Sequence, residues 1–323
     1  MFAVYASRLS GERPLDGLEI GERPAPEPPP GWTTVRVRAT SLNHHDLWSL
    51  RGVGLAEDRL PMTLGCDAAG VDEDGNDVVV HAVVPSPGWQ GEETLDPKRS
   101  LLSERHQGTF AERVVVPRAN LLPKPPGLSY EQAACLPTAW LTAYRMLFVQ
   151  SGLRPGDTVL VQGASGGVSS ALVPLAKAAG YRVWVTGRSE AKRTWAEKTL
   201  GADAVFESGA RLPERVDAVM DTVGAATWSH SLKALRPGGT LVCSGATSGP
   251  NPPAELNRVF FLQLRVVGST MGTRQELAAL LRLLETTGLR PTIDRVLPLD
   301  RAREGFAAME AGEVRGKVVF GLR

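Results

Sequence analysis

The sequence predicts an α/β protein with two domains, because its rhythm changes once along the chain. Residues 33–40 alternate apolar and polar side chains, the period of a half-buried strand, and the apolar run 78–84 continues this β-rich pattern. Farther on, strand-like and helix-like stretches alternate, as they do in parallel βαβ units. We therefore predict a β-rich domain formed by residues 1–124 and 268–323, and a doubly wound parallel-sheet domain formed by residues 125–267.

The elements of the second domain follow from short apolar runs separated by longer helical stretches. The predicted strands are 158–162, 182–185, 203–206, 218–221, 240–244 and 264–268, and the predicted helices are 130–149, 168–179, 190–200 and 226–235. The tail carries one predicted helix, 274–287, and two apolar runs, 293–297 and 318–320. We expect these two runs to return to the first domain.

Composition narrows the classes of function. The net charge of +1 gives no electrostatic reason to expect nucleic acid or an anionic membrane as a partner. No run of about 18 apolar residues predicts a membrane span, and the first residues lack the layout of a signal peptide. The three cysteines, Cys66, Cys135 and Cys243, lie far apart, a poor basis for disulfides or a zinc cluster. We expect a cytoplasmic protein.

The strongest local signal is a glycine-rich turn between a predicted strand and a predicted helix. Glycines there let the backbone approach a pyrophosphate, and the helix start directs unpaired N–H groups at it. The alternative is a turn that only connects the two elements. The βαβ context favours dinucleotide binding, and the candidate contacts in this turn are Gly163, Ser165, Gly166, Gly167 and Val168.

The end of the next strand indicates which dinucleotide binds. NAD enzymes carry an acidic residue about 20 positions after the glycines, whereas here Gly187 stands 20 residues after Gly167 and no carboxylate follows at once. Arg188, Ser189 and Lys192 could instead hold a 2′-phosphate. The alternative is that these are solvated groups at a helix start. We predict NADPH as the cofactor.

Further cofactor contacts are expected where strands of the parallel sheet end, because such sheets bind ligands at the carboxyl ends of their strands. Val223 and Gly245 follow predicted strands and are candidates, and Thr138 is a third.

Several short motifs resemble the medium-chain dehydrogenase/reductase superfamily, most closely its quinone oxidoreductase (zeta-crystallin-like) branch. The similarity runs from end to end and includes residues 41–46 (SLNHHD), 65–70 (GCDAAG), 108–112 (GTFAE), 142–144 (TAY), the glycine turn, 221–224 (DTVG), 237–239 (PGG) and 316–319 (GKVV). This resemblance implies a GroES-like β-barrel catalytic domain, a Rossmann dinucleotide-binding domain, and a homodimer or tetramer, of which we expect a homodimer.

The zinc-dependent members of this superfamily bind catalytic zinc through Cys, His and Cys, with a Glu nearby. The resemblance places Asn43, Cys66 and Thr138 at the three ligand positions and Asp67 at that of the Glu. Zinc requires at least three good donors, and neutral oxygens do not replace thiolates. The segment 85–107, which matches the structural zinc lobe, contains no cysteine. We therefore predict no bound metal. Residues 44–46 are expected on a strand, where adjacent side chains face opposite sides and do not chelate together.

Without a metal, electron-poor acceptors are the easier substrates. A quinone or an α,β-unsaturated carbonyl accepts hydride and spreads the charge onto an oxygen, which the protein needs only to hydrogen-bond. The resemblance places Asn43 and Asp46 near the nicotinamide. Asn43 could donate to the substrate oxygen, and Asp46 could orient it or relay a proton, or only cap a turn. One of His44 and His45 could face the substrate, and we favour His44. Lys317 is expected to be a surface charge.

Three functions remain open at this stage. The preferred one is an NADPH-dependent quinone or enone reductase with a small-molecule substrate. The second is an enoyl-thioester reductase with the same chemistry, and the third is a non-catalytic NADPH-binding protein.

Overall fold

A computed structural model describes residues 1–322 of the chain. Its strands are β1 Phe2–Ala6, β2 Leu18–Glu22, β3 Trp32–Ser41, β4 Met62–Thr63, β5 Ala68–Val71, β6 Asp77–Val80, β7 Val83–Val84, β8 Ser100–Leu101, β9 Arg113–Pro117, β10 Leu121–Pro123, β11 Thr158–Gln162, β12 Arg182–Gly187, β13 Ala204–Glu207, β14 Val216–Asp221, β15 Leu235–Cys243, β16 Arg265–Gly268, β17 Ile293–Pro298 and β18 Lys317–Gly321.

The α-helices are mostly short. They are α1 His44–Leu50, α2 Tyr130–Ala134, α3 Leu141–Arg145, α4 Gly167–Ala178, α5 Glu190–Trp195, α6 Ala225–Ala234, α7 Leu256–Phe261, α8 Arg274–Thr287 and α9 Ala302–Glu310. Wider π-helical turns occupy Leu136–Trp140, Met146–Gln150 and Ala196–Leu200, and 3-10 turns occupy Pro14–Gly17, Glu57–Arg59, Glu93–Leu95, Arg118–Asn120 and Leu299–Arg301.

The chain forms two compact units. The first contains Met1–Leu141 and the segment from Met271 onward, and the second is Thr142–Thr270. We predicted the first boundary after residue 124, but residues 125–141 belong to the first unit. The reason is that α2 packs against β3 and β5 of that unit.

The first unit is built on β3, whose alternating side chains are buried on one face. β3 pairs in antiparallel fashion with β5, β9 and β18, and β17 lies parallel to β18 at the edge of the same sheet. The last strands of the chain therefore join a sheet that its first third begins. Phe110, Phe306 and Phe320 are fully buried in the adjoining core, where they meet at centroid distances of 5.2–6.4 Å.

Two predicted elements differ from the structure. Residues 44–46 begin α1 and do not lie on a strand, because Asn43 acts as the N-cap residue and the Asp46 carboxylate accepts its backbone N–H at 2.8 Å. The predicted helix 130–149 is divided into α2, α3 and two π-helical turns, one of which contains Pro137, which has no N–H to donate.

The second unit carries one parallel sheet of six strands in the order β13-β12-β11-β14-β15-β16. Counted along the chain, this order is 3-2-1-4-5-6, which reverses direction between β11 and β14. All residues of β11 are buried, as expected for a central strand covered by helices on both faces. The predicted α/β class with a doubly wound parallel sheet is confirmed.

Within residues 1–322, every helix is too short or too polar to cross a lipid bilayer. The cysteines Cys66, Cys135 and Cys243 are free thiols. Burial raises the pKa of the Cys135 thiol to about 12, so this group stays protonated at neutral pH. The expected cytoplasmic location stays a prediction.

Candidate active site

The loops that follow β11, β12, β14 and β15 lie at one edge of the parallel sheet, because all four strands run in the same direction. Gly163 has a φ of +89° and donates its N–H to the carbonyl oxygen of Thr186 at 3.1 Å. A Cβ on Gly163 would lie 3.7 Å from Cγ2 of Val223, and one on Gly187 would lie 2.9 Å from Cβ of Ala164. The structure therefore brings these predicted cofactor residues together at the point where the strand order reverses.

The glycine turn leads directly into α4. Gly166 is the N-cap residue, and Gly167 and Val168 form the start of the twelve-residue helix. The first N–H groups of a helix have no partner within it and carry the positive end of its dipole. Ser165 is buried just before this helix start. Such a helix start suits a pyrophosphate, and the predicted dinucleotide contacts of this turn stay a prediction.

A fully buried carboxylate organises the loop after β14. Asp221 accepts the backbone N–H groups of Val223 at 2.8 Å and Gly224 at 3.0 Å. It also accepts the hydroxyl groups of Thr227 and Ser231. Because neutral donors satisfy the buried charge, the backbone around Val223 is held in one conformation. The motif 221–224 is part of the resemblance to the superfamily, but the sequence did not predict this role for Asp221.

Gly245, another predicted contact, allows two loops to approach. A Cβ there would lie 2.9 Å from the carbonyl oxygen of Thr222. The N–H of Ser248 donates to the carbonyl oxygen of Val223 at 2.8 Å, which joins the loop after β15 to the loop after β14.

The predicted 2′-phosphate residues lie at the start of α5. Arg188 and Ser189 are exposed, Ser189 is the N-cap residue, and Lys192 lies in the first turn. Arg193, which sequence reasoning missed, donates from Nη1 to the carbonyl oxygens of Gly187 at 2.7 Å and Arg188 at 3.1 Å. Arg193 thus holds the loop backbone, while the Arg188 side chain is presented to solvent. The only feature of the sequence that could have indicated this role for Arg193 is its position one turn into the predicted helix.

The first unit contains a second polar cluster, centred on Asn43. The side-chain Nδ2 of Asn43 donates to Asp67 Oδ2 at 2.8 Å and to the carbonyl oxygen of Ser41 at 3.3 Å, and its Oδ1 accepts from Lys317 Nζ at 2.5 Å. The Asn43 amide is therefore bonded on both sides.

Lys317 is not the surface charge that we expected. It is only 1% exposed, and its ammonium also donates to the carbonyl oxygen of Leu42 at 2.8 Å and lies 3.5 Å from Asp67 Oδ2. The signal that could have located it is its place at the start of the fully apolar run 318–320, which forms a buried strand.

His45, not His44, makes the specific contacts of the histidine pair. His44 is exposed, whereas His45 Nδ1 lies 3.3 Å from Cys66 Sγ and Nε2 lies 2.9 Å from Glu104 Oε1. Although burial opposes a charge there, the contacts with Cys66 and Glu104 raise the pKa of His45 well above its usual value. The segment 85–107 contributes Glu104, which sequence reasoning did not single out. The preference for His44 stays a prediction.

Asp46 is fully buried at the start of α1. Its carboxylate accepts the N–H groups of Asn43 at 2.8 Å and Gly65 at 3.1 Å, which links the helix to the motif 65–70. Burial raises its pKa to about 6, against the opposing effect of the nearby His45. Asp46 therefore both caps the helix and can change its protonation state near neutral pH. Thr138 lies in a π-helical turn, and its Oγ1 is buried with no hydrogen-bond partner among the described residues.

Comparison with known proteins assigns both units. A family model described as the alcohol dehydrogenase GroES-like domain matches residues 29–126, and one described as zinc-binding dehydrogenase matches residues 167–286. The crystal structure of an NAD-dependent alcohol dehydrogenase is 37% identical, with a TM-score of 0.91 and coverage of 100% of both chains. The chain belongs to the medium-chain dehydrogenase/reductase superfamily.

Other similar members of this superfamily carry thioester substrates in their names. The acryloyl-coenzyme A reductase of Sulfurisphaera tokodaii is 28% identical over 329 residues, which cover 95% of this chain and 97% of the relative. The structure of the 2-octenoyl-CoA carboxylase reductase CinF in complex with NADP and 2-octenoyl-CoA is 26% identical, with a TM-score of 0.88 and coverage of 98% and 87%. This medium-chain dehydrogenase/reductase is therefore an oxidoreductase with a GroES-like domain and a nucleotide-binding domain.

The zinc implied by the superfamily does not fit the matching positions of this member. Asn43 offers an amide oxygen that already binds an ammonium group, and Thr138 offers only a hydroxyl. Among residues 1–322, the donor atoms of His45, Asp46 and Cys66 lie within 4.8 Å of one another, and they also contact the backbone and the side chain of Glu104. The strand geometry on which we excluded a metal cluster of residues 44–46 is not present, because these residues begin α1, so the absence of metal stays a prediction.

The raised pKa of Asp46 predicts a pH-dependent stability. The folded pKa of about 6 exceeds the unfolded value of about 3.9, so the ionised group costs about 3 kcal/mol at neutral pH and about 1 kcal/mol near pH 4.5. Stability from the protonated form is present at low pH and is lost as the pH rises through 6.

We therefore expect the wild type to gain about 2 kcal/mol of unfolding free energy relative to Asp46→Asn when the pH is lowered from 7 to about 4.5. Urea unfolding at both pH values measures it, with the exposed Asp74→Asn as control. A difference that does not vary with pH would contradict the assignment.

Proposed function

We propose that this protein is a zinc-independent, NADPH-dependent oxidoreductase that transfers hydride to a quinone or to the activated double bond of an α,β-unsaturated carbonyl compound. The observation that carries the proposal is that the Asn43 amide, at a position where zinc-dependent relatives would present a metal ligand, binds the Lys317 ammonium and the Asp67 carboxylate. Such a cluster has no Lewis acid with which to acidify a simple alcohol, whereas an activated alkene or quinone needs only hydrogen bonds to its oxygen.

NADPH, when bound, would supply the hydride from its nicotinamide ring. The residues of the chain have the complementary task of stabilising negative charge on the acceptor oxygen. Of the two bonds from the Asn43 amide nitrogen, the one to the Ser41 carbonyl is long at 3.3 Å, so it is the one that gives way and frees an N–H for that oxygen. Asp46, with a pKa of about 6, can hold a proton near neutral pH and pass it on. We keep His44 as a third, exposed candidate near these two.

An enoyl-thioester acceptor is the second candidate, and the relatives favour it specifically. Both the acryloyl-coenzyme A reductase and CinF act on or bind thioesters by name. The same hydride transfer to a carbon–carbon double bond applies, so the two candidates differ in the substrate group beyond the carbonyl. The third candidate, a non-catalytic protein that binds NADPH, would be indicated if none of the acceptors is reduced.

The activity is tested by following NADPH absorbance with three acceptors: a benzoquinone, a simple enone and an enoyl-coenzyme A. We expect oxidation of NADPH with the quinone or the enone, unchanged after exhaustive chelation and with no stoichiometric zinc by elemental analysis. Turnover confined to the thioester would favour the second candidate. Loss of activity on chelation, with recovery on adding zinc, would contradict zinc independence.

The preference for NADPH is part of the proposal. The relative with 37% identity is described as NAD-dependent, whereas CinF was solved with NADP, so the family likeness does not decide between them. Local chemistry supports NADPH: Arg188 is exposed at the end of β12, and Arg193 holds the loop backbone that presents it. A guanidinium there can form a forked, charge-assisted contact with a 2′-phosphate.

Arg188→Ala is expected to raise the dissociation constant for NADPH by about 10- to 100-fold and to change that for NADH little, because only NADPH loses a charged hydrogen bond. Fluorescence titration of both cofactors measures this, and Lys198→Ala on the same helical segment is the control. Equal weakening of both cofactors, or of neither, would contradict a 2′-phosphate contact.

We also propose a homodimer formed through the edge of the parallel sheet. β16 pairs only with β15 within the described part of the chain, and apolar side chains beside it are exposed, notably Phe260 at 59% and Phe261 at 76%. An open strand edge and exposed aromatic rings are features of surfaces that a second chain covers.

Phe261→Asp is expected to produce monomers, because a carboxylate would be buried in the interface. Size-exclusion chromatography with light scattering gives the mass. The control is Val296→Asp, an exposed apolar residue on β17 of the other unit. A wild type that is already monomeric would refute the proposal.

A further inference from the structure

The Lys317 ammonium is a buried cation with three oxygen partners. It donates to the carbonyl oxygen of Leu42 at 2.8 Å and to Asn43 Oδ1 at 2.5 Å, and it lies 3.5 Å from Asp67 Oδ2. A lysine charge away from water is stable only when it is paired and hydrogen-bonded. These three oxygen atoms hold the Lys317 ammonium in its observed position.

The backbone around Lys317 places the ammonium in this position. Gly316 has a φ of +101°, and a Cβ on it would lie 2.4 Å from the carbonyl oxygen of Thr292, so no larger residue fits before β18. The N–H of Leu42 donates to the carbonyl oxygen of Val318 at 2.9 Å. Leu42 is thus held by β18 in two ways, through the backbone of Val318 and through the side chain of Lys317.

Asn43 bridges the two buried charges. Its oxygen faces the Lys317 ammonium and its nitrogen faces the Asp67 carboxylate, which also accepts the Ser41 hydroxyl at 2.6 Å. A flipped amide would direct its oxygen at a carboxylate and its nitrogen at an ammonium, and both contacts would be repulsive. The charge pair therefore determines the orientation of the amide, and it leaves only the N–H that points at Ser41 free to change partner.

We propose that Lys317 is a positioning residue of this enzyme, whose ammonium group stands in for a metal ion by fixing the Asn43 amide so that one N–H is available to the acceptor oxygen. This inference rests on the proposed function, since it assumes that Asn43 serves hydride transfer. The charge acts through Asn43, because the ammonium is 1% exposed and its own donors are used within the protein.

The first test replaces Lys317 by Met, which keeps the length of the side chain and removes the charge. We expect kcat to fall by about 10- to 100-fold, the range seen when the partner that orients a functional group is lost, with the dissociation constant for NADPH unchanged. Lys124→Met is the matched control, because Lys124 is also largely buried and its Nζ donates to the Leu128 carbonyl oxygen at 2.8 Å near Asp77. Full kcat in folded Lys317→Met protein would refute the proposal.

The second test asks whether Lys317 acts through Asn43. If it does, the double variant Lys317→Met with Asn43→Ala is no slower than Asn43→Ala alone. Losses that multiply would show that the two residues act independently, and this would overturn the inference. If Lys317 had only a structural role, Lys317→Met would lower the urea midpoint of unfolding, and the folded variant would keep the kcat of its parent.

A third measurement does not depend on turnover. The side-chain amide of Asn43, assigned in the ¹H–¹⁵N spectrum by its loss in Asn43→Ala, should give proton signals in the wild type that are displaced from those of a solvent-exposed asparagine amide. In Lys317→Met these signals should move toward the positions of a solvent-exposed amide, while Lys124→Met leaves them unchanged. Unmoved signals would refute the positioning role even if the acceptor panel shows no activity. No turnover with moved signals would reject only the proposed function.

Discussion

The buried charge pair of Lys317 and Asp67 is the constraint on which the rest of the first unit depends. Both side chains are almost fully shielded from water, and they come from strand β18 and from the motif 65–70, which are far apart in the sequence. Removing either partner would leave an uncompensated charge in a dry interior, which is far more costly than removing a charge at the surface. Strand β18, which returns to the first sheet, is therefore held there by this ion pair as well as by apolar packing.

The second unit solves the same physical problem in another way. Asp221 is as deeply buried as Asp67, but its partners are neutral: two backbone N–H groups and two hydroxyls. Because backbone donors are among the partners, the carboxylate determines the shape of the loop after β14 directly. Backbone donors fix the shape of a single loop, whereas the ion pair of Lys317 and Asp67 joins two segments that are far apart in the chain.

Much of the fold was predictable because it follows local periodicity. Strand β11 and helix α8 have the predicted bounds, 158–162 and 274–287. The start of α1 was missed, because its signal is a cap, Asn43 with Asp46 three residues on, which was interpreted as part of a strand. The glycine turn was recognisable because its backbone conformation favours glycine: Gly163 has a φ of +89°.

The sequence by itself determined the α/β class, the alternation of strands and helices in the second unit and the glycine-rich turn before α4, because each of these depends on residues close together in the chain. Only the tertiary structure decided that Lys317 is buried against Asn43 and Asp67, that His45 lies between Cys66 and Glu104, and that Arg193 supports the Arg188 loop. The first two contacts join segments separated by tens to hundreds of residues, and the third depends on which way one side chain folds back. The protonation state and the partners of an ionisable side chain depend on its surroundings in three dimensions, and the sequence without the fold does not specify those surroundings.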